Sequence, residues 1–167
     1  MKTLIIYMST HGCTTQVVHE LAEQLNGEVT IKNLKEDQDP DFQDYDRVIV
    51  GGSIHAGQIQ RKIRDFCTIN TEKLGYKQLG LFICCMYEGD QAFQQLENAF
   101  PEKLHQYAKS EAILGGEFNF EKMRFFEKLI VRKVAKVEQT VSRIDHEAIR
   151  NFAKKMDKTF SPFVTLI

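Results

Sequence analysis

No stretch of this sequence stays apolar for the roughly 20 residues that a membrane-spanning helix needs. The apolar part of the N-terminus, residues 4–8, is too short for a signal-peptide core and no small-residue cleavage site follows it, so the chain reads as cytoplasmic. Cysteine is sparse. Cys13, Cys67, Cys84 and Cys85 form neither a C-x-x-C pair nor a zinc spacing, and the histidines are scattered; no metal site is expected. Small buried thiols in a reducing compartment are the ordinary reading, and Cys84 and Cys85 would point to opposite faces of a strand. No Pro/Gly/Ser-rich linker and no sustained repeat divides the 167 residues, so one domain over 1–167 is expected, long enough to bury a full core. Excess charge is also missing, since the net value is −1, and no nucleic-acid partner is expected. The charge is unevenly placed, however. Residues 1–60 hold four Lys/Arg against nine Asp/Glu, whereas residues 101–167 hold thirteen against nine. An acidic front and a basic back concern partners more than fold.

What is present is an alternation of strand and helix. Residues 2–8 read as a buried strand. Residues 14–25 carry Val17, Val18, Leu21 and Leu25 at helical spacing, ended by Asn26-Gly27. Strands come next at 28–34, 46–53, 78–86 and 111–118, and helices at 60–70, 90–100 and 145–156, the last with Asp145 as N-cap. Residues 35–45 form a polar connection with room for a short helix. This order implies an α/β architecture with helices on both faces of a parallel sheet, of the doubly wound type. The ligand then sits beyond the C-terminal strand ends at the switch point.

The first strand runs into "STHGCTT", residues 9–15. Unpaired helix N–H groups and the positive end of the helix dipole converge there. Gly12 permits close backbone approach, and Ser9, Thr10 and Thr14 offer hydroxyls. The loop is therefore an anion pocket with phosphate as its usual guest. It contains no Lys or Arg and matches neither GxxxxGK[ST] nor GxGxxG, which argues against a nucleotide triphosphatase and against a dinucleotide fingerprint. Neutral donors suit a small monophosphate held permanently, such as FMN. The alternative is that Ser9 or Thr10 merely caps the helix.

Ile5, Ile6, Tyr7, Ser9, Gly12, Thr14 and Leu21 resemble the flavodoxin phosphate-loop signature in type and spacing; Val18 stands where alanine is usual. The resemblance implies a flavodoxin-like three-layer sandwich with a five-stranded parallel sheet in the order 2-1-3-4-5. It implies FMN as cofactor, with Ser9, Thr10, His11, Gly12, Cys13 and Thr14 around its phosphate. It also places Ser53, Ile54, His55, Ala56 and Gly57 around the isoalloxazine ring, with Ile54 or His55 standing where flavodoxins often stack a tryptophan. Met86, Tyr87, Glu88 and Gly89 fall on the other flank. Tyr87 either stacks on the ring or packs at the loop edge. Glu88 and Asp90 would lower the flavin potential, with His55 and Arg61 acting the other way. Cys13 is either a redox-active thiol with a pKa lowered by the helix N-terminus or a spacer contributing its N–H. A rival reading takes "GGSIH", residues 51–55, as a near match to the G-x-S-x-G nucleophile elbow of a hydrolase.

An ordinary short flavodoxin passes directly from its fifth strand to its last helix, whereas here residues 119–144 intervene. On a helical wheel Met123, Phe126, Ile130, Val134 and Val137 share one face, and Arg124, Lys128, Arg132 and Lys136 lie largely opposite. Such an extra basic amphipathic helix suits a membrane surface or an acidic partner, or it docks its apolar stripe on the domain. "YDRVIVGGSIHAG", "AILGGEFNFEKMRFFEKLIVRKV" and "DHEAIRNFAKKM" resemble the menaquinone-dependent protoporphyrinogen oxidase family of bacterial haem synthesis. That resemblance implies flavin-mediated oxidation of protoporphyrinogen, with electrons passed to a membrane quinone. Arg124, Lys128 and Arg132 would meet the substrate propionates or the membrane, and residues 121–137 would give peripheral contact with the inner face of the cell membrane. The flavin carries the chemistry, and no catalytic side chain is assigned. The alternatives are a flavodoxin-type electron carrier docking on a redox partner through the acidic front, and a noncatalytic FMN-binding module.

Overall fold

The computed structural model describes residues 1–118, Lys128, Arg132, Lys133 and residues 141–159. Strand β1 (Lys2–Met8) sits in the middle of its half of the sheet because both its faces are apolar. Leu4 and Ile6 point to one side, Ile5 and Tyr7 to the other, and all four are buried. It pairs in parallel with β2 (Glu28–Asn33) and with β3 (Arg47–His55). Beyond β3 lie β5 (Gln78–Cys84) and β6 (Ala108–Ile113), also parallel, giving the order β2-β1-β3-β5-β6. The two-residue strand β4 (Gln58–Ile59) turns back antiparallel on the end of β3. With β4 set aside, this is the expected five-stranded parallel order.

Both faces are covered, as continuous apolar strands require. Helices α1 (Cys13–Gln24) and α6 (His146–Asp157) close one face, where Val17, Val18, Leu21, Ile149, Phe152 and Met156 meet Ile5, Ile49 and Phe82. Helices α2 (Arg61–Ile69), α3 (Thr71–Gly75), α4 (Gly89–Ala99) and α5 (Glu102–Tyr107) succeed one another along the chain, and Ile63, Leu74, Leu96 and Leu104 join the core cluster of the opposite face. Full burial of a side chain such as Phe82 contributes about 1.5–3 kcal/mol over leaving it exposed. Asp145 caps α6 as expected, accepting the Ala148 N–H at 2.8 Å.

Three expectations need correction. Residues 35–45 hold turns and no helix. The fifth strand does not run from 111 to 118. It ends at Ile113, where Leu114 N–H still reaches the Ile83 carbonyl at 2.9 Å, and the chain then leaves the sheet through Gly115 at φ 75°. A side chain at Gly115 would collide with the Arg143 carbonyl, so the turn requires glycine. Beyond that turn, β7 (Gly115–Phe118) pairs antiparallel with β8 (Val141–Ile144) as a separate ribbon. The last four residues of the expected 119–144 helix are therefore strand. Lys128, Arg132 and Lys133 have helical backbone. Arg124 and the remainder of 119–140 lie outside the described residues.

Candidate functional site

The C-terminal ends of β1, β3 and β5 lie side by side, and each opens into one of the three loops picked out in the sequence. The first loop wraps the start of α1. Gly12 adopts φ 93°, a left-handed conformation that costs a non-glycine residue about 1–2 kcal/mol. Ser9 does not cap the helix in the ordinary way. Its Oγ accepts the Gly12 N–H at 3.0 Å, which fixes the loop, and α1 has no side-chain cap. Gln16 is the first helical residue whose N–H finds a carbonyl, that of Gly12 at 3.1 Å. The N–H groups of Cys13, Thr14 and Thr15 open the helix with no carbonyl one turn behind them. No acidic side chain occupies that first turn.

The Thr14 hydroxyl supplies the fit test for a phosphate. Thr14 is 1% exposed, and its Oγ1 makes no hydrogen bond among the described residues. It touches the buried Cys84 thiol and weakly favours the thiolate, but that contact falls short of hydrogen-bond geometry. A buried unpaired hydroxyl costs about 1–3 kcal/mol. An anion seated on the first turn would recover that cost and use the free amides at once. The donor set is neutral and gathered on the first turn of α1, so the residues present fit a phosphate monoester.

Cys13 is not an activated thiol. Burial pushes its pKa up to about 11, with the Glu117 carboxylate adding to the rise. Both effects oppose the lowering that a helix N-terminus favours, and they keep the thiol protonated at neutral pH. Cys84 and Cys67 are driven higher still by burial, and Cys85 is raised for the same reason.

The second loop is a tight hairpin. Ile54 pairs with Ile59 and His55 with Gln58, and Ala56 and Gly57 form the turn with φ 49° and 77°. Positive φ at both central residues is the requirement of a type I′ turn. Strand alternation sends Ile54 toward the core and puts Ser53 and His55 on the opposite face, where Ser53 Oγ and His55 Nε2 lie 2.9 Å apart. His55, not Ile54, is thus the exposed member of that pair. Its ring meets that of His11 edge-on, with centroids 5.8 Å apart, so the first and second loops converge. Ser53 lies in extended strand and the turn comes three residues later. The strained strand-to-helix elbow of a hydrolase is absent here.

Of the third loop, Met86 and Tyr87 are half-buried and Glu88 and Gly89 exposed. Tyr87 packs against the core cluster, and its carbonyl lies 3.6 Å from Cys85 Sγ. Arg61 is paired with Asp65 at 3.3 Å on the exposed face of α2.

Two features escaped the sequence. Gln60 hydrogen-bonds Met8 and Ser53 and so ties β1 to β3 directly beneath the loops. The β7–β8 ribbon is fastened beside the site through Cys85 N–H, which donates to Gly115 O at 2.9 Å, and it brings the Glu117 carboxylate to bear on Cys13. Lys128 is half-buried and Arg132 exposed.

Residues 4–145 match the family model described as Flavodoxin domain. Protoporphyrinogen IX dehydrogenase (quinone) of Escherichia coli strain K12 is 20% identical over 171 residues, spanning 93% of this chain and 94% of that protein. A short-chain flavodoxin associated with a PDU bacterial microcompartment superimposes with a TM-score of 0.60 at 14% identity, over 93% of this chain and 96% of the other. Oxidised Flavodoxin 1 from Bacillus cereus gives 0.58 at 20% identity, over 96% and 100%. The structural likenesses establish the same fold.

Proposed function

The chain belongs to the flavodoxin domain family, and from that premise we propose that it oxidises a porphyrinogen-type substrate and passes the electrons to a membrane quinone. Its cofactor is FMN, and its role is redox. Bound FMN supplies the electron-accepting chemistry, while the protein positions and tunes it. The N–H groups of Cys13, Thr14 and Thr15 and the Thr14 hydroxyl hold the phosphate. Ser9 keeps Gly12 in place, and Thr10 and His11 complete the loop. Ser53–Gly57 and Met86–Gly89 wall the ring on its two flanks. Lys128 and Arg132, with Arg124, meet the substrate carboxylates or an anionic membrane surface through residues 121–137.

One observation carries this reading beyond a generic flavoprotein. Phe118 pairs with Val141, so both ends of residues 119–140 emerge together from a ribbon fastened beside the third loop and Cys13. A basic segment rooted there favours an added substrate or partner site over a spacer. Similarity to the Escherichia coli enzyme along 93% of the chain supports the substrate class.

The electron-carrier reading is less favoured, because most of the acidic front is drawn away from the loops. Of the acidic residues 36–46, Glu36 and Asp37 stay at the loop end of β2, where their N–H groups donate to the Asn33 carbonyl at 2.9 and 3.0 Å, and the chain then runs to the far end of the sheet. There Asp46 N–H reaches Lys2 O at 3.0 Å, and Lys77 Nζ reaches the Gln43 and Tyr45 carbonyls, each at 2.7 Å. That end lies about 20 Å from the loops, at 3.3 Å per residue along a seven-residue strand.

The test is FMN-loaded protein mixed anaerobically with protoporphyrinogen and a menaquinone analogue, with porphyrin fluorescence followed over time. Turnover is expected, and Lys128→Glu with Arg132→Glu should lower it while FMN stays bound. A yellow protein that makes no porphyrin but exchanges electrons rapidly with a reductase would be a carrier. A colourless protein that refuses FMN would contradict the cofactor assignment itself.

A further inference from the structure

We propose that Gln60 is a positioning residue that, through the Ser53 hydroxyl, holds the His55 imidazole as its neutral Nδ1–H tautomer on the ring-side wall of the site. The inference rests on the assignment of the β3–β4 hairpin to that wall. Its basis is a set of hydrogen bonds that fixes the sense of the Gln60 amide and gives the Ser53 hydroxyl proton an acceptor on the His55 ring.

Three contacts define the Gln60 side chain. Its Oε1 accepts the Ser53 N–H at 3.0 Å, and its Nε2 lies 3.2 Å from the Met8 carbonyl and 2.6 Å from Ser53 Oγ. A backbone N–H can only donate and a carbonyl can only accept. The amide therefore cannot be turned over, because a flip would set oxygen against oxygen at Met8 and NH2 against N–H at Ser53. With its sense fixed, Nε2 must donate to Ser53 Oγ. The serine hydroxyl can then send its own proton to His55 Nε2, 2.9 Å away. The serine oxygen has a second lone pair and could instead accept from Nε2–H, but its own proton would then lose this acceptor; with Ser53 donating, Nε2 carries no proton and the ring proton lies on Nδ1.

The chain Met8–Gln60–Ser53–His55 spans the ends of β1 and β3, the two strands that carry the first and second loops. His55 then meets His11 of the phosphate loop edge to face. The tautomer decides whether Nδ1 acts toward its surroundings as a donor or an acceptor. A donor beside a flavin favours the electron-rich form of the ring. Gln60 touches no reacting group in this arrangement and acts through Ser53 and His55 alone.

The test reads the tautomer directly, from long-range proton–nitrogen correlation spectra of the labelled full chain without FMN. The wild-type protein should show His55 protonated on Nδ1. In Gln60→Glu the carboxylate can no longer donate to Ser53 and instead accepts its hydroxyl proton. His55 Nε2 must then become the donor, and the pattern should invert to Nε2–H. Ser53→Ala removes the hydroxyl with no demand on the Met8 contact, and the bias to a single tautomer should be lost. Wild-type protein protonated on Nε2 would overturn the proposal. So would a Gln60→Glu protein that keeps Nδ1–H or, if that variant does not fold, a Ser53→Ala spectrum identical to wild type. Because the readout is taken in FMN-free protein, it is separate from the cofactor assignment, which FMN titration decides.

Discussion

The two ends of the parallel sheet differ in what they offer: neutral donors at one and a buried ion pair at the other. At the C-terminal end of the strands, donors are neutral and several are left without acceptors: the first amides of α1 and the buried Thr14 hydroxyl. At the N-terminal end a buried charge is paired, although Arg47 Nε and the Thr3 hydroxyl have no partner among the described residues. Arg47 is 1% exposed, and its Nη1 meets Asp157 Oδ1 at 2.8 Å. Beside that pair, Lys109 closes the last turn of α6 by donating to the Met156 and Lys158 carbonyls at 2.9 and 2.6 Å. Burial and the neighbouring Arg47 lower the Lys109 pKa, with Asp157 opposing. One end gives up stability for readiness toward a ligand, while the other fastens the last helix to the sheet. Binding and folding should therefore separate under mutation.

The largest expected effect breaks the fastened end. Asp157→Ala leaves Arg47 buried without a counter-charge and should cost about 3 kcal/mol of folding stability, measured by urea denaturation. FMN affinity of the folded protein should not change. A variant that lost FMN in proportion to its stability would show that the ends are not independent. Thr14→Val is the converse. It removes an unpaired buried hydroxyl, so the FMN-free protein should keep or slightly gain stability, while FMN binds at least about tenfold more weakly, since a hydrogen bond to a charged group contributes roughly 1.5–3 kcal/mol. A loss of apo stability above about 1 kcal/mol would mean that the hydroxyl has a partner within the fold.

A smaller effect concerns pH. Burial pushes the Cys13 thiol pKa up from 9.0 to about 11 in the folded chain. Between those values the unfolded chain gives up the proton while the folded chain keeps it. Stability contributed by the protonated thiol is therefore whole below about pH 9.0 and falls as pH rises toward 11. Cys13→Ala should flatten this loss by on the order of 1 kcal/mol, after allowance for the partial exposure of the site. Stability that rose with pH across that window would contradict the shift. The smallest effect is Glu88→Gln, which removes an exposed negative charge from the third loop and should raise the potential of bound FMN slightly in a redox titration. A fall in potential would place Glu88 elsewhere.

Much of this was legible because it is local. Val17, Val18 and Leu21 announce α1, Asp145 announces α6, and Ser9, Gly12 and Thr14 mark a strand-to-helix phosphate loop whatever lies around them. The features that escaped depend on partners distant in sequence. Gln60 looks like any polar residue before a helix, and only the meeting of Met8 and Ser53 gives it a task. The β7–β8 ribbon joins two four-residue strands across the whole of 119–140, and the sequence signal in 141–144 is too short to announce the pairing. The high pKa of Cys13 comes from burial and from Glu117, about a hundred positions away. The helix end alone predicts the opposite direction.

The central claim is that neutral amides and the Thr14 hydroxyl grip a phosphate. Its most direct test is the ratio of riboflavin to FMN dissociation constants, measured by quenching of flavin fluorescence in wild-type protein and in Thr14→Val. Wild-type protein should bind FMN far more tightly than riboflavin, and the substitution should shrink that preference at least about tenfold while leaving riboflavin affinity unchanged. Equal affinity for the two flavins in the wild type, or a preference untouched by the loss of the hydroxyl, would contradict the account.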